Sequence, residues 1–217
     1  TRALAQATTG NPFAVLQALR VLQQARALVF DTTAAHWRAD AARATHTLKD
    51  ATAVTLVGQQ MQQLPPACQD LLAAGALVGA VMDLETLAAV YGHTPDETLA
   101  CLRPALQAGL LVLLDERLAP QSLLALRAAH DFVQQAAFRL LSDNERAQRH
   151  LAIGRALAAK YRHDHSLHEH AFEIVQHFQL ASPERLEASE RGLLRGLSTE
   201  AARKARHSGA ARTALGH

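Results

Sequence analysis

Apolar side chains near the start of the chain recur three and four positions apart, the spacing that places them on one face of an α-helix. Asn11 and Pro12 predict the start of this helix, because asparagine is a favoured N-cap and proline fits the first helical position. We expect the helix to run to about Arg26. Its predicted apolar face consists of Val15, Leu16, Leu19 and Leu22, and its predicted solvent face of Gln17, Arg20 and Gln24.

A shorter pattern follows this helix. Residues 27–30 and 36–38 flank the polar tripeptide 31–33, which predicts a β-hairpin with Trp37 packed on it. Apolar residues then return at helical spacing, at Val54, Val57, Met61 and Leu64. The Pro65-Pro66 pair ends that helix and opens another.

The middle of the chain carries the clearest start and stop signals. Asp83 predicts the N-cap of a helix that Gly92 closes. Residues 94–97 form a capping box with proline at the first helical position, and the helix they open is expected to stop at Gly109. An apolar run at 110–114 predicts a buried strand, and 122–126 predicts a second, returning strand. Two helices followed by a two-stranded wing are typical of a winged helix.

The last third of the chain is predicted to be helical again. A helix over 130–141 is followed by a capping box at 142–145, and a histidine-rich stretch at 162–170 interrupts the pattern. Phe172, Val175 and Leu180 are predicted to share one face of the next helix, and later helices are expected to start near Ser182 and Ser198. Paired short helices of this kind favour an α-solenoid, although no clean 34-residue period is present.

These elements predict a mainly α protein. We expect a helical lid with its hairpin over 1–60, a winged-helix domain over 61–160 and the start of TPR-like repeats over 161–217, with two short β-hairpins in all. The composition agrees, because only 4% of the 217 residues are aromatic, which argues against an all-β fold. No apolar run reaches the roughly 18 residues of a membrane span, so no membrane contact is expected.

Charge and cysteine content narrow the classes of function. A formal net charge of +2 provides no general attraction for nucleic acid. Two cysteines cannot form a disulfide framework and suit a reducing cytoplasm. The chain starts at Thr1 without the basic and apolar regions of a signal peptide, and we expect it to be a fragment of a longer cytoplasmic protein.

Sequence motifs for catalysis are absent. The chain has no phosphate-binding P-loop, no dinucleotide-binding glycine motif and no nucleophile elbow. Four histidines at 163, 165, 168 and 170 resemble a metal site, but their spacing does not share a helical face, and a polar linker is the favoured interpretation. The helix at 94–107 offers Asp96, Glu97 and only Arg103 to a DNA groove, so no DNA binding is expected.

Four segments resemble STAND-type AAA-related ATPases of large bacterial signalling proteins. Each resembles a family element in the same order along the chain: 9–19 (a GNPFF element), 64–72 (the start of the winged helix), 130–138 (an HDRVQQAAY signature) and 172–178 (the start of the helical repeats). In many members a Ser/Thr kinase domain precedes this region, and sensor and histidine-kinase domains follow it. The resemblance spans residues 9–215 and implies a segment that follows a P-loop core.

The resemblance implies nucleotide-binding roles for Gly10, Asn11, Pro12, His130 and Asp131. In the family, the proline packs against adenine, and a histidine at the end of the winged helix reaches the β-phosphate of ADP and holds the resting state. Two departures reduce the match: Phe132 stands where the family usually has arginine, and Ala129 replaces a larger apolar residue.

Three functional hypotheses follow. The first is a regulatory segment that closes over ADP or ATP held by an upstream P-loop domain of the same polypeptide, with protein partners bound by its helical repeats. The isolated chain would then bind no cofactor and catalyse no reaction by itself. The parent protein would be an ATPase, and it would also be a protein kinase where it carries the kinase domains of the resembling family. The second is a helical interaction adaptor with no nucleotide role. The third is an ATPase-type transcription regulator, which would need a basic helix-turn-helix that this sequence does not show.

Overall fold

The computed structural model describes residues 2–114 and 125–207, and this part of the chain is mainly helical with two small antiparallel sheets. Its helices are α1 (Arg2–Thr8), α2 (Pro12–Gln24), α3 (Ala41–Thr47), α4 (Ala53–Met61), α5 (Pro66–Val78), α6 (Leu84–Tyr91), α7 (Pro95–Gln107), α8 (Asp131–Phe138), α9 (Asp143–His163), α10 (Ala171–Leu180) and α11 (Ala188–His207). Its strands are β1 (Leu28–Asp31), β2 (His36–Ala39), β3 (Val81–Asp83), β4 (Leu111–Leu114) and β5 (Ala125–Ala128). The mainly helical prediction is confirmed.

The helix starts follow the capping signals in the sequence. The Asn11 side chain accepts a hydrogen bond from the backbone N–H of Ala14 at 3.1 Å. Capping boxes open α7 at Thr94 and α9 at Ser142, and Asp83 caps α6. Gly92 closes α6 with a φ of 66°, a left-handed conformation that glycine adopts without steric strain.

The predicted first hairpin is confirmed. Strands β1 and β2 pair antiparallel, with Phe30 opposite Trp37. The two rings meet edge to face with their centroids 5.2 Å apart, so Trp37 packs on its hairpin as predicted.

The second sheet has three strands where the sequence predicted two. Its order is β3–β5–β4, and both neighbouring pairs are antiparallel. The sequence pattern missed β3 because three residues are too few to show a period of two. Strand β5 runs from Ala125 to Ala128, and residues 122–124 of the predicted strand lie outside the described part of the chain.

Three clusters of buried apolar residues hold the described chain together. The first lies between α4–α8 and the three-stranded sheet, and the second lies among α9, α10 and α11. The third joins α1, α2 and the segment around Leu48 to α4. Helix α4 contributes Leu56 to the third cluster and Met61 to the first, and α5 contributes Leu72 to the first and Leu77 to the second.

The predicted apolar face of α2 was wrong at Leu16, although Leu22 is buried as predicted. Leu16 is 56% exposed, whereas Gln17 is only 2% exposed. Ala14 and Ala18 are completely buried in place of larger residues. Small residues allow α2 to approach α4 closely, and this packing turns Leu16 outward.

The same error affects α10, where Phe172 and Leu180 are each 52% exposed. Val175 is buried as predicted, together with Ala171, Ile174 and Phe178. The start predicted at Ser198 is also wrong, because this residue lies inside α11. No glycine or proline follows Leu197 to interrupt the helix there.

None of the described helices combines the length and apolar character needed to cross a bilayer.

Two phenylalanines of α10 provide a direct test of its orientation. Phe178 is 1% exposed and packs in the second cluster, whereas Phe172 lies on the opposite side. We expect Phe178→Ala to lower the free energy of unfolding by about 3–5 kcal/mol, because it leaves a cavity. Phe172→Ala should change it by less than about 1 kcal/mol. Urea denaturation measures both values, and similar losses in the two variants would contradict this packing.

Candidate functional site

Two segments that the resemblance singles out meet in the structure. Asn11, at the start of α2, lies beside His130, at the start of α8, although 119 residues separate them along the chain. The Asn11 Nδ2 atom lies 3.2 Å from His130 Nε2. We call this contact, with the two flanking phenylalanines Phe13 and Phe132, the α2–α8 junction.

The imidazole of His130 stacks against two aromatic rings. The Phe13 ring stacks on the imidazole with the ring centroids 5.2 Å apart and an angle of 13° between the ring planes. The Phe132 ring stacks at 4.3 Å and 27°. Phe13 and Phe132 also pack against the first apolar cluster, which fixes the position of the imidazole. Phe132 therefore acts here as a packing residue. It stands at the position where the family that the chain resembles usually has arginine.

Local backbone contacts explain why His130 stands at this position. The backbone N–H of Ala129 donates to the carbonyl oxygen of Leu110 at 2.9 Å, which anchors the end of β5. The His130 backbone is extended and its carbonyl oxygen accepts from Val133, so α8 starts immediately after the strand. His130 Nδ1 also accepts a hydrogen bond from the backbone N–H of Phe132 at 3.3 Å and serves as the N-cap.

The junction contains more hydrogen-bond donors than acceptors. Asn11 uses its carbonyl oxygen to cap α2, so its amide nitrogen faces His130. The backbone N–H of Phe132 faces the other ring nitrogen. A neutral imidazole offers only one acceptor nitrogen, because the other carries a hydrogen. In each neutral tautomer, one of the two neighbouring donors, the Asn11 amide or the Phe132 backbone N–H, bonds to the ring, and the other faces the N–H of the ring. An anionic oxygen would suit this set of donors.

The other predicted site residues lie around this junction in different settings. Gly10 is exposed and has a φ of 78°, which a residue with a side chain adopts only with strain. The Pro12 ring is exposed at the first position of α2. Asp131 is exposed at the first turn of α8 and lines a shallow groove with Ala76, Gln134 and Phe138, which is a surface distinct from the Asn11 contact.

The histidine-rich stretch does not form a metal centre in the described residues. No group of three or more histidine, cysteine, aspartate or glutamate side chains there could hold a metal ion. His163, His165 and His168 are exposed, and His170 stacks on Tyr161 with the centroids 3.5 Å apart. Cys68 is completely buried, and its burial raises the pKa of the thiol.

The helix considered for DNA recognition presents an acidic first turn. Asp96 and Glu97 are exposed at the start of α7. The Glu97 carboxylate accepts from the backbone N–H of Thr94, and this bond lowers the pKa of Glu97, so the residue is anionic. Two carboxylates at this end of the helix would repel phosphate.

A buried histidine pair was missed in the sequence. His150 of α9 and His177 of α10 are 7% and 4% exposed, and their Nδ1 atoms lie 3.0 Å apart. Burial lowers the pKa of His150, and burial together with the neighbouring His150 lowers the pKa of His177 to about 4. One feature of the sequence indicates that these histidines are buried. His150 directly precedes Leu151 and His177 directly precedes Phe178, and both apolar residues are buried.

No protein-family model, curated protein or solved structure matches this chain.

The Asn11–His130 contact can be measured separately from the two helix caps. Asn11→Ser keeps an N-cap oxygen for α2 but is too short to reach the imidazole, and His130→Asn keeps an N-cap for α8. We expect a coupling free energy of about 0.5–1.5 kcal/mol in a double-mutant cycle of urea denaturation. Strictly additive losses from the two substitutions would contradict a direct contact.

The histidine pair predicts a pH dependence of stability. Because the pKa of His177 is about 4 in the folded chain and ordinarily 6.5, the unfolded chain binds more protons between these values. The free energy of unfolding should therefore fall as the pH drops from 6.5 toward 4, by up to about 3 kcal/mol. Denaturation curves at a series of pH values measure this slope.

A matched pair of variants isolates the histidine contribution from that of the carboxylates, which also titrate in acid. The double variant His150→Leu/His177→Leu should lose this part of the slope. The control His163→Gln/His165→Gln, which changes two exposed histidines, should keep it. Equal slopes in the two variants would show that the buried pair does not titrate on unfolding.

Proposed function

We propose that this chain is a regulatory segment of a STAND-like ATP-binding signalling protein. Its N-terminal helices and a winged helix close together over ADP or ATP, which an upstream P-loop domain of the same polypeptide holds. The observation that carries the proposal is the α2–α8 junction, where two motifs 119 residues apart meet with a surplus of hydrogen-bond donors.

The arrangement of residues 66–128 supports the winged-helix part of the proposal. Its order along the chain is helix, strand, helix, helix and two strands, and the first strand pairs with the last. This unit has a neighbour on each of two helices, because α8 packs on α5 and α9 packs on α6.

The chemistry of the junction supports a phosphate group as the ligand. In the arrangement described, Asn11 and His130 direct N–H groups toward the same region. A phosphate oxygen would accept from both, and it would provide charge-assisted hydrogen bonds to the N–H group that a neutral imidazole leaves without an acceptor. The exposed Pro12 ring lies next to Asn11 and offers an apolar face without an N–H, which suits a purine.

The contact surface of α2 supports a switch rather than a fixed joint. Gln17 of α2 and Gln60 of α4 lie on helices that pack together, and their buried side-chain oxygens have no hydrogen-bond partner among the described residues. A buried acceptor without a partner typically costs about 1–3 kcal/mol. The closed arrangement is therefore less stable than an apolar interface would be, so nucleotide can shift its population.

Ionic contacts support transmission from the winged helix to the helices that follow. Lys160 of α9 forms salt bridges with Asp83 and Glu85, which belong to β3 and α6. Arg149 of α9 pairs with Asp70 of α5. Burial raises the pKa of Asp83, but the contacts with Lys160, together with hydrogen bonds from Thr86 and the backbone N–H of Glu85, outweigh it and leave the pKa below its usual value. Movement of the elements that carry Asp70, Asp83 and Glu85 would therefore displace α9 and, through it, α10 and α11.

A helical interaction adaptor without a nucleotide role is the second candidate. The exposed Phe172 and Leu180 on α10 favour it, because protein-binding helices present large apolar residues of this kind.

The experiment that tests the nucleotide role uses the full-length protein with its upstream domain. We expect Pro12→Ala and His130→Asn to release ADP faster, with His130→Asn giving a roughly 10- to 100-fold change, because one charge-assisted hydrogen bond is worth about 1.5–3 kcal/mol. Release of a fluorescent ADP analogue in stopped flow measures the rate. His163→Asn, the same substitution at an exposed histidine, should leave the rate unchanged.

The nucleotide proposal has two clear failures. It is wrong if the reading frame upstream of Thr1 encodes no P-loop domain. It is also wrong if Pro12→Ala and His130→Asn retain ADP as the unmodified protein does. The 217 residues alone should show no ATP hydrolysis, and turnover by them would equally exclude it.

A further inference from the structure

An exposed apolar surface lies between α2 and the first hairpin, on the side where Leu16 points outward. Leu16, Phe30 and Trp37 are 56%, 45% and 51% exposed. Leu19 and Leu28 line the same surface and are partly buried. We call these five residues the hairpin groove.

The register of the hairpin places four of its apolar residues on one face. Leu28 pairs with Ala39, and Phe30 pairs with Trp37, so these four side chains point the same way. The opposite face carries Val29, Asp31, His36 and Arg38. A two-stranded sheet has little stability of its own in water, so an aromatic pair left about half exposed on it indicates a face that another surface covers.

Two adjoining cavities make up the groove. One cavity of about 500 Å³ lies between Leu16, Leu19 and Trp37. A second, of about 440 Å³, extends along Phe30 and Val29. The two share Gln23, Leu28 and Trp37, so they form one continuous depression.

The charged side chains that line the two cavities are both positive. Arg20 and Arg26 are the charged residues that line the two cavities. Arg20 donates to the carbonyl oxygen of Ala108, a neutral group, so its positive charge is not neutralised. Arg26 is exposed at the turn between α2 and β1. Acidic side chains on an occupant would therefore face favourable charges.

We propose that the hairpin groove binds an amphipathic α-helix of another protein, with an apolar face flanked by acidic residues. The apolar face fills the depression between α2 and the hairpin, and the acidic residues lie against Arg20 and Arg26. This is the helix-in-groove mode of recognition. Tryptophan, phenylalanine and arginine are also the side chains enriched at the centres of protein interfaces. The inference is independent of the proposed nucleotide role.

Trp37 is the only tryptophan of the chain, so its fluorescence reports directly on the groove. The probe is a synthetic, tryptophan-free helical peptide with leucine at positions i, i+3, i+4 and i+7 and glutamate on its flanks. We expect its addition to shift the Trp37 emission to shorter wavelength in a saturable way. A peptide with lysine in place of glutamate should bind roughly tenfold more weakly, because it faces two arginines.

Two variants and one control link binding to the groove. Phe30→Ser should weaken binding of the glutamate peptide, and Arg26→Glu should abolish most of the preference between the two peptides, because only Arg20 then stays positive. Leu113→Ser changes an equally exposed apolar residue on β4 and should leave binding unchanged. Circular dichroism and the urea midpoint establish that each variant is folded, and the comparison of the two peptides on the unmodified chain needs no variant.

Several outcomes would overturn the proposal. Equal binding of both peptides, or no change in Trp37 emission with either, excludes an acidic helix as the occupant. A shift that depends on the concentration of the chain alone, with a doubled mass in light scattering, assigns the groove to a second copy. A shift produced by anionic lipid vesicles but not by the glutamate peptide assigns it to a membrane surface.

Discussion

The central position of α4 determines how the rest of the described chain is arranged. Leu56 on one side of this helix packs with α2, and Val57 and Met61 on the other side pack in the cluster that contains α8. Both α2 and α8 therefore pack on α4, and the first residues of the two helices meet where the Asn11 side chain lies 3.2 Å from His130. Loosening α4 would therefore separate the two motifs without changing either one.

The two sides of α4 differ in chemistry. The side toward α8 is apolar and completely buried, as Val57 and Met61 show. The side toward α2 includes Gln17 and Gln60, whose carbonyl oxygens lack partners among the described residues. Burying a polar group without a hydrogen bond opposes association, whereas apolar burial favours it. The two oxygens without partners therefore make the interface with α2 less stable than an apolar interface of the same size would be.

The sequence predicted the ends of helices better than it predicted their faces. Asn11, Asp83, Thr94 and Ser142 each begin a helix as predicted, because capping depends on groups within a few residues of one another. The faces of α2 and α10 depend on which partner each helix packs against, and alanine can replace leucine at a close contact. Leu16 and Phe172 were therefore assigned to the wrong side.

The candidate site was only partly accessible to sequence analysis. The resemblance singled out Asn11 and His130 separately, but no local pattern could show that they touch across 119 residues. Their meeting depends on long-range packing through α4. The roles of Phe13 and Phe132 were missed for the same reason, because a stacking partner is defined by spatial contact. The domain boundaries predicted at residues 60 and 160 stay predictions.

Helix α2 contributes residues to both the α2–α8 junction and the hairpin groove, and these two roles explain its composition. Its first turn supplies Asn11 to the α8 contact, its alanine face packs on α4, and Leu16 and Leu19 form one wall of the hairpin groove. Arg20 adds a further link, because its guanidinium group reaches the Ala108 carbonyl oxygen just beyond α7. A rotation of α2 that improved its packing on one side would disrupt a contact on another, so its orientation is fixed by all of these contacts together.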